Sequence, residues 1–151
     1  MTPDDRSGDR SEAAGTLDDA LARMSWAVEE GSFALVGFDA APTPDDLAAL
    51  AEPAQLVREG GETTLLMPDD ALAAVLARHP GARVERDLVW IRFQAPMGWE
   101  VVGFLARVTS ALAEAGVPLG CVCGFSRDHL FIARRYLDAA RSCLSKLFPE
   151  A

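Results

Sequence analysis

The chain has 151 residues, half of them hydrophobic, enough to bury one ordinary core or two very small ones, and it sits in the globular rather than the disordered range. Its net charge of −9 is uneven: residues 1–82 carry 16 acidic and 5 basic side chains, whereas residues 83–151 carry 7 and 9. Neither half supplies the basic stripe that neutralises phosphates, which argues against nucleic-acid binding. The opposite signs of the halves favour packing of one on the other, or of two copies, unless they are simply solvated surface charge. Three cysteines without a secretory signal fit a reducing compartment. No apolar run approaches the ~20 residues that cross a bilayer, so the expectation is a cytoplasmic protein that does not engage a membrane.

Residues 1–15 are polar and aperiodic and are expected to form a disordered tail. Leu17, Leu21 and Met24 follow at helical spacing, a short amphipathic segment. Phe33 to Phe38 is an apolar run between Gly31 and Pro42 and reads as a buried strand. Thr43-Pro44-Asp45-Asp46 then starts a helix: a hydroxyl N-cap, proline at the first position, and carboxylates over the positive end of the dipole. Pro53 stops that helix near Ala51. Gln55 to Glu59 and Thr63 to Met67 flank Gly60-Gly61-Glu62 as a hairpin. A second helix begins at Asp69 and Asp70, buries Leu72, Val75 and Leu76, and ends at His79-Pro80-Gly81.

The second half repeats this order. Leu88 to Ala95 is a strand, preceded by Val84 to Asp87 as a final strand for the first half. Pro96 to Gly103 forms a tight loop leading into a long helix that lines Val101, Leu105, Val108, Leu112 and Ala115 on one face and is capped by Gly116. Cys121 to Ile132 is a strand pair and Arg135 to Phe148 a helix. The order β-α-β-β-α therefore occurs twice, over 16–83 and 84–151, and each half is too small a sheet to cover its helices alone. The halves should share one extended sheet or pack side by side. One edge of the second half is left open for exchange or for dimer pairing.

Five segments carry a resemblance beyond the order of elements: Trp90-Ile-Arg-Phe, Glu100-Val-Val-Gly103-Phe, Ala113-Glu-Ala-Gly116-Val, Cys123-Gly-Phe and Asp128-His129-Leu-Phe-Ile. Together they resemble the small bacterial tandem ACT-domain proteins, an amino-acid-binding regulatory family related to the animal cytosolic arginine sensor. The resemblance covers residues 88–148 closely and 17–83 more loosely. It implies an α+β protein of two ferredoxin-like ACT units side by side, an antiparallel sheet covered by helices. It also implies a ligand held by the loop before the long helix and by the strand pair, here Met97, Gly98, Trp99, Glu100, Val101 and Gly103 with Gly124, Phe125 and Asp128. The family carries small hydroxyl residues after the first strand where this chain has Pro96-Met97-Gly98, which leaves the ligand's identity open.

Physical chemistry permits such a site. Backbone N–H groups between Gly98 and Val101, at a helix start, can hold a carboxylate, and Asp128 or Glu100 can accept from an ammonium or guanidinium group. Each residue also has a plainer reading. Gly98 and Gly103 suit a tight turn and close packing, Trp99 a covered helix start, Glu100 a helix cap, and Asp128 hairpin turn chemistry.

Cys121 and Cys123 share one strand face and read as buried small hydrophobes; with Cys143 distant, no zinc spacing results. Ser126, Asp128 and His129 alternate sides of one hairpin and do not form a nucleophile-base chain. The expectation is a non-enzymatic sensor without cofactor or metal, binding an amino acid or related metabolite and signalling through an unidentified protein partner or a homo-oligomer. The alternative is an interaction or oligomerisation module in which Trp99, Val101 and Phe125 fill the former pocket.

Overall fold

Apolar alternation and glycine turns in this chain produce the expected strands, and a computed structural model describes residues 13–151. In chain order the elements are α1 (Leu17–Arg23), β1 (Trp26–Val28), β2 (Phe33–Phe38), α2 (Pro44–Ala48), β3 (Gln55–Glu59), β4 (Glu62–Pro68), α3 (Leu72–Arg78), β5 (Arg83–Phe93), α4 (Phe104–Glu114), β6 (Gly120–Cys123), β7 (Asp128–Ala133) and α5 (Leu137–Leu144). Short 3₁₀ turns, Asp69–Ala71 and Arg134–Tyr136, lead into α3 and α5. Most of the expected tail lies outside the described residues. Its end is held in place: Ala14 is buried, donates its N–H to the Pro96 carbonyl (3.0 Å) and accepts from the Gly98 N–H (2.8 Å).

All seven strands form one antiparallel sheet ordered β3-β4-β2-β5-β7-β6, with β1 also on β5. Strand β5 runs through both halves of the sequence. Its first part pairs with β2 (Val36↔Val84), and its second with β7 on the other edge (Trp90↔Phe131). Between them the register slips, from Leu35↔Glu85 to Phe33↔Leu88, beside Asp87 at φ 55°. The extra residue of such a bulge changes the face that following side chains take. Val84 therefore packs into the first half's core and Val89 into the second's, both beneath the helices.

The edge expected to be open in the second half is occupied by the chain itself. β1 lies along β5 with Trp26↔Phe93 and Val28↔Ile91, so residues 14–28 belong to the second half's core. Hydrophobic burial accounts for the exchange. Met24 and Trp26 join Ile91, Phe93, Phe104 and Phe148 in one cluster, and burying a side chain of this kind contributes about 1.5–3 kcal/mol relative to exposure. The Trp26 indole N–H is satisfied by the Phe148 carbonyl at 3.2 Å.

The sheet face away from the helices carries Phe33, Leu66, Leu88, Trp90 and Val122 as a separate cluster. Residues 51–54, entering β3, share cavity walls with Phe33 on one side and with Trp90 and Val122 on the other. Among the described residues, no helix is long and apolar enough to cross a membrane.

Candidate functional site

After Phe93 the second half departs from regular structure for ten residues before α4. The α4 helix begins at Phe104, three residues later than the position expected from Val101. Gly103, at φ 99°, is its N-cap and gives no side-chain cap. That left-handed backbone suits glycine, and a β-carbon there would stand 3.3 Å from Leu17 Cδ2.

The later start corrects two expectations. The Gly98 N–H is taken by Ala14 and the Val101 N–H by the Gly98 carbonyl (3.2 Å), so neither waits for an anion. Glu100 lies outside the helix and does not cap it. Its carboxylate leans on Gly98, where a β-carbon would come within 2.6 Å of Oε1. The helix N–H groups without an intrahelical partner are those of Phe104, Leu105 and Ala106.

The β6–β7 hairpin is tied to this loop at two points. The Met97 N–H donates to the Ser126 carbonyl (2.9 Å), and Arg127 Nε donates to the Gln94 carbonyl (2.8 Å). Across the tip, the Gly124 N–H donates to the Arg127 carbonyl (2.9 Å). Between loop, helix start and hairpin lies a cavity of about 320 Å³, within the range typical of small-molecule sites.

Met97, Gly98, Trp99, Val101, Gly103, Gly124, Phe125 and Asp128 all line this cavity, and Glu100 does not. Six further lining residues were not assigned to the site from sequence: Phe104, Leu105, Ala106, Cys123, Ser126 and Arg127. Arg127 had a signal, standing between Phe125 and Asp128 in a hairpin already chosen. Arg127 and Asp128 are consecutive residues of the cavity lining, with Arg127 Nε held on the Gln94 carbonyl, so the wall carries one basic residue for a carboxylate and one acidic residue for an ammonium. Trp99 and Phe125, both lining the cavity, are 94% and 82% exposed, and Val102 in the same loop as Trp99 is 80% exposed, an unusual concentration of apolar surface.

Cys121 and Cys123 face solvent on the edge strand β6, contrary to the burial expected of them, because no element packs on that side of the edge. Desolvation first and Asp128 second push both thiols up from their ordinary value, Asp128 acting on Cys121 through its charge and on Cys123 through a hydrogen bond and then its charge, so they remain protonated and weakly nucleophilic at neutral pH. Among the described residues no three His, Cys, Asp or Glu side chains are grouped to hold a metal ion. His129 sits across the sheet from the cavity, edge-on to Trp90 with ring centroids 5.6 Å apart. Burial first, then Arg92, hold its pKa below the usual histidine value.

Residues 83–146 match the family model of the ACT domain. No curated protein matches the chain. Among solved structures, the fold is similar to that of a protein from Agobacterium tumefaciens, at 21% identity and TM-score 0.69, covering 85% of this chain and 91% of that one. A protein of unknown function from Vibrio cholerae, described as a possible transport protein, matches at 24% identity and TM-score 0.64, covering 85% and 92%. The ligand-free regulatory subunit of aspartate kinase from Thermus thermophilus matches at 15% identity and TM-score 0.60, covering 82% and 96%. At these identities the likeness is one of fold.

Proposed function

We propose that this protein is a non-catalytic sensor of two ACT units that binds an amino acid or a closely related metabolite between the 97–106 segment and the β6–β7 hairpin. One observation carries the reading: a cavity of about 320 Å³ joins the loop, the helix start and the hairpin, with Arg127 and Asp128 both among its lining residues. A zwitterion presents the complementary pair of charges. The ACT-domain match over 83–146 supports the assignment, and the regulatory subunit with a similar fold supports a role without chemistry of its own. The same reading takes the protein as cytoplasmic and bacterial and as a relative of the tandem family that includes the animal arginine sensor.

The mechanism is linkage. A ligand touching both loop and hairpin stabilises the arrangement in which they are closed on each other, and it shifts the protein's state only by its difference in affinity for two arrangements. Output then passes to a partner protein or through a change in oligomeric state.

Thermal unfolding against each of the twenty amino acids at millimolar concentration tests this. A ligand at ~100 times its dissociation constant adds about 2.7 kcal/mol to the folded state, and one chemical class should stand out. If none raises the melting temperature of a cooperatively unfolding protein, the sensor reading fails. The exposed Trp99, Val102 and Phe125 support a second reading, an interaction or oligomerisation surface. In that case a concentration-dependent sedimentation profile replaces the thermal shift.

A further inference from the structure

The sheet face away from the helices holds two polar atoms that the first cavity leaves unexplained. Trp90 is 2% exposed and its Nε1–H has no hydrogen-bond partner; the buried Nδ1 of His129 has none either. Trp26, equally buried, donates its own indole N–H to a carbonyl. Because the large majority of buried polar groups are paired, an orphan donor beside an orphan imidazole nitrogen points to something that completes them.

Both rings line a cleft of about 500 Å³ whose walls come from both halves of the chain: Pro53 and Gln55 on one side, Val122 and the β6–β7 hairpin on the other. Its lining includes two basic residues, Arg92 and Arg127, against one acidic residue, Glu52. Arg92 uses one outer nitrogen on Glu29, which leaves donors of its five-donor fork for a further acceptor.

We propose that this cleft is a second ligand site, for a small organic carboxylate whose oxygens accept from the Trp90 indole N–H and face Arg92 while its carbon part packs on Pro53 and Val122. An indole N–H only donates, which fixes the ligand atom as an acceptor. A neutral imidazole places its proton on either nitrogen, so a carboxylate near His129 selects the tautomer with Nδ1–H. The apolar part of the wall favours an organic anion over a bare inorganic one. The β6–β7 hairpin, from Cys123 to Arg127, is a wall of this cleft and of the first cavity. Occupancy at one site therefore bears on the other through a shared element, with equal and reciprocal effect on affinity. The second site stands whether or not the first takes an amino acid.

The experiment is a ¹⁵N NMR titration of the full chain with succinate, reading the three indole N–H cross-peaks. Trp90 reports on the cleft, Trp99 on the first cavity and Trp26 on the core. The expected result is a saturable shift of Trp90 with Trp26 unmoved, about tenfold weaker in Arg92→Gln, equivalent to about 1.4 kcal/mol. As a check that needs no variant, His129 should titrate at higher pH in the saturated sample than in the free protein. The proposal is overturned if Trp90 stays unmoved at millimolar succinate, or if Trp99 alone moves, which would assign the carboxylate to the first cavity. Equal affinity in a folded Arg92→Gln, or an equal shift of Trp90 with inorganic phosphate, overturns it as well.

Discussion

The two halves of this chain use the same order of elements and treat the same place in opposite ways. In the first half, the segment between β2 and α2 is five residues long and is sealed. Thr43 and Asp46 cap α2 reciprocally, and Asp46, fully buried, also accepts from Arg78 Nε and contacts His79 Nε2, both at 2.8 Å. Arg58 Nη1 and Thr63 Oγ1 both donate to the Ala40 carbonyl, tying the β3–β4 hairpin across the gap. In the second half the corresponding segment is ten residues long, the helix is capped by a glycine alone, and a cavity ringed by exposed aromatic side chains remains. One half spends its polar groups on closure. The other keeps Arg127 and Asp128 in the lining of an open cavity, which is why the ligand site is proposed there.

Breaking the seal should have the largest effect. Burial alone would raise the pKa of Asp46, but the Thr43 N–H, His79 and Arg78 together hold it well below the usual carboxylate range. Asp46→Ala leaves those donors without their acceptor and should destabilise the protein by roughly 3 kcal/mol, as does removing one partner of a buried ion pair. Urea unfolding at neutral pH measures this. The sign with pH follows from the depressed folded pKa. The contribution of Asp46 is fully present above the unfolded value of about 3.9 and is lost as pH falls toward the folded pKa. The difference between wild type and Asp46→Ala should therefore shrink below about pH 4, and a difference that stays constant down to pH 2 would show that the carboxylate's charge does not matter.

The two helix caps give the next contrast. Gly103→Ala forces a β-carbon into a left-handed backbone and against Leu17, and should cost about 1–2 kcal/mol. Thr43→Ala removes a side-chain cap worth about 1 kcal/mol. Equal melting temperatures for Gly103→Ala and wild type would mean that the α4 start is not held in this conformation.

Much of this contrast was legible in the sequence. Thr43-Pro44-Asp45-Asp46 announced a capped helix, and α2 starts at Pro44. The hairpin glycines and the order of elements held as well. The start of α4 and the fate of the Gly98 N–H were not legible, the latter because it depends on Ala14, which touches this loop only after the chain has folded back. The exchange of β1 onto β5 was hidden for the same reason: a three-residue strand has no periodicity to read, and its pairing is long-range. Arg127 could have been chosen with its neighbours. Its role rests on lining the same cavity as Asp128, which strand alternation alone did not favour.

The smallest expected effect on folding is also the sharpest test of the assignment. Trp99 is 94% exposed, so Trp99→Ala should change stability by no more than about 0.5 kcal/mol. If the second half is open in order to bind, the same substitution removes an aromatic wall of the cavity and should weaken the amino acid found by thermal shift about tenfold, or about 1.4 kcal/mol, by calorimetric titration. Arg127→Ala should act similarly, through the carboxylate it would otherwise face. A Trp99→Ala protein that binds as tightly as wild type while losing self-association would mean that the aromatic rim serves a protein surface instead. Unchanged stability, weaker binding and unchanged assembly together would make the opening of the second half a ligand site, and the sealed first half its structural counterpart.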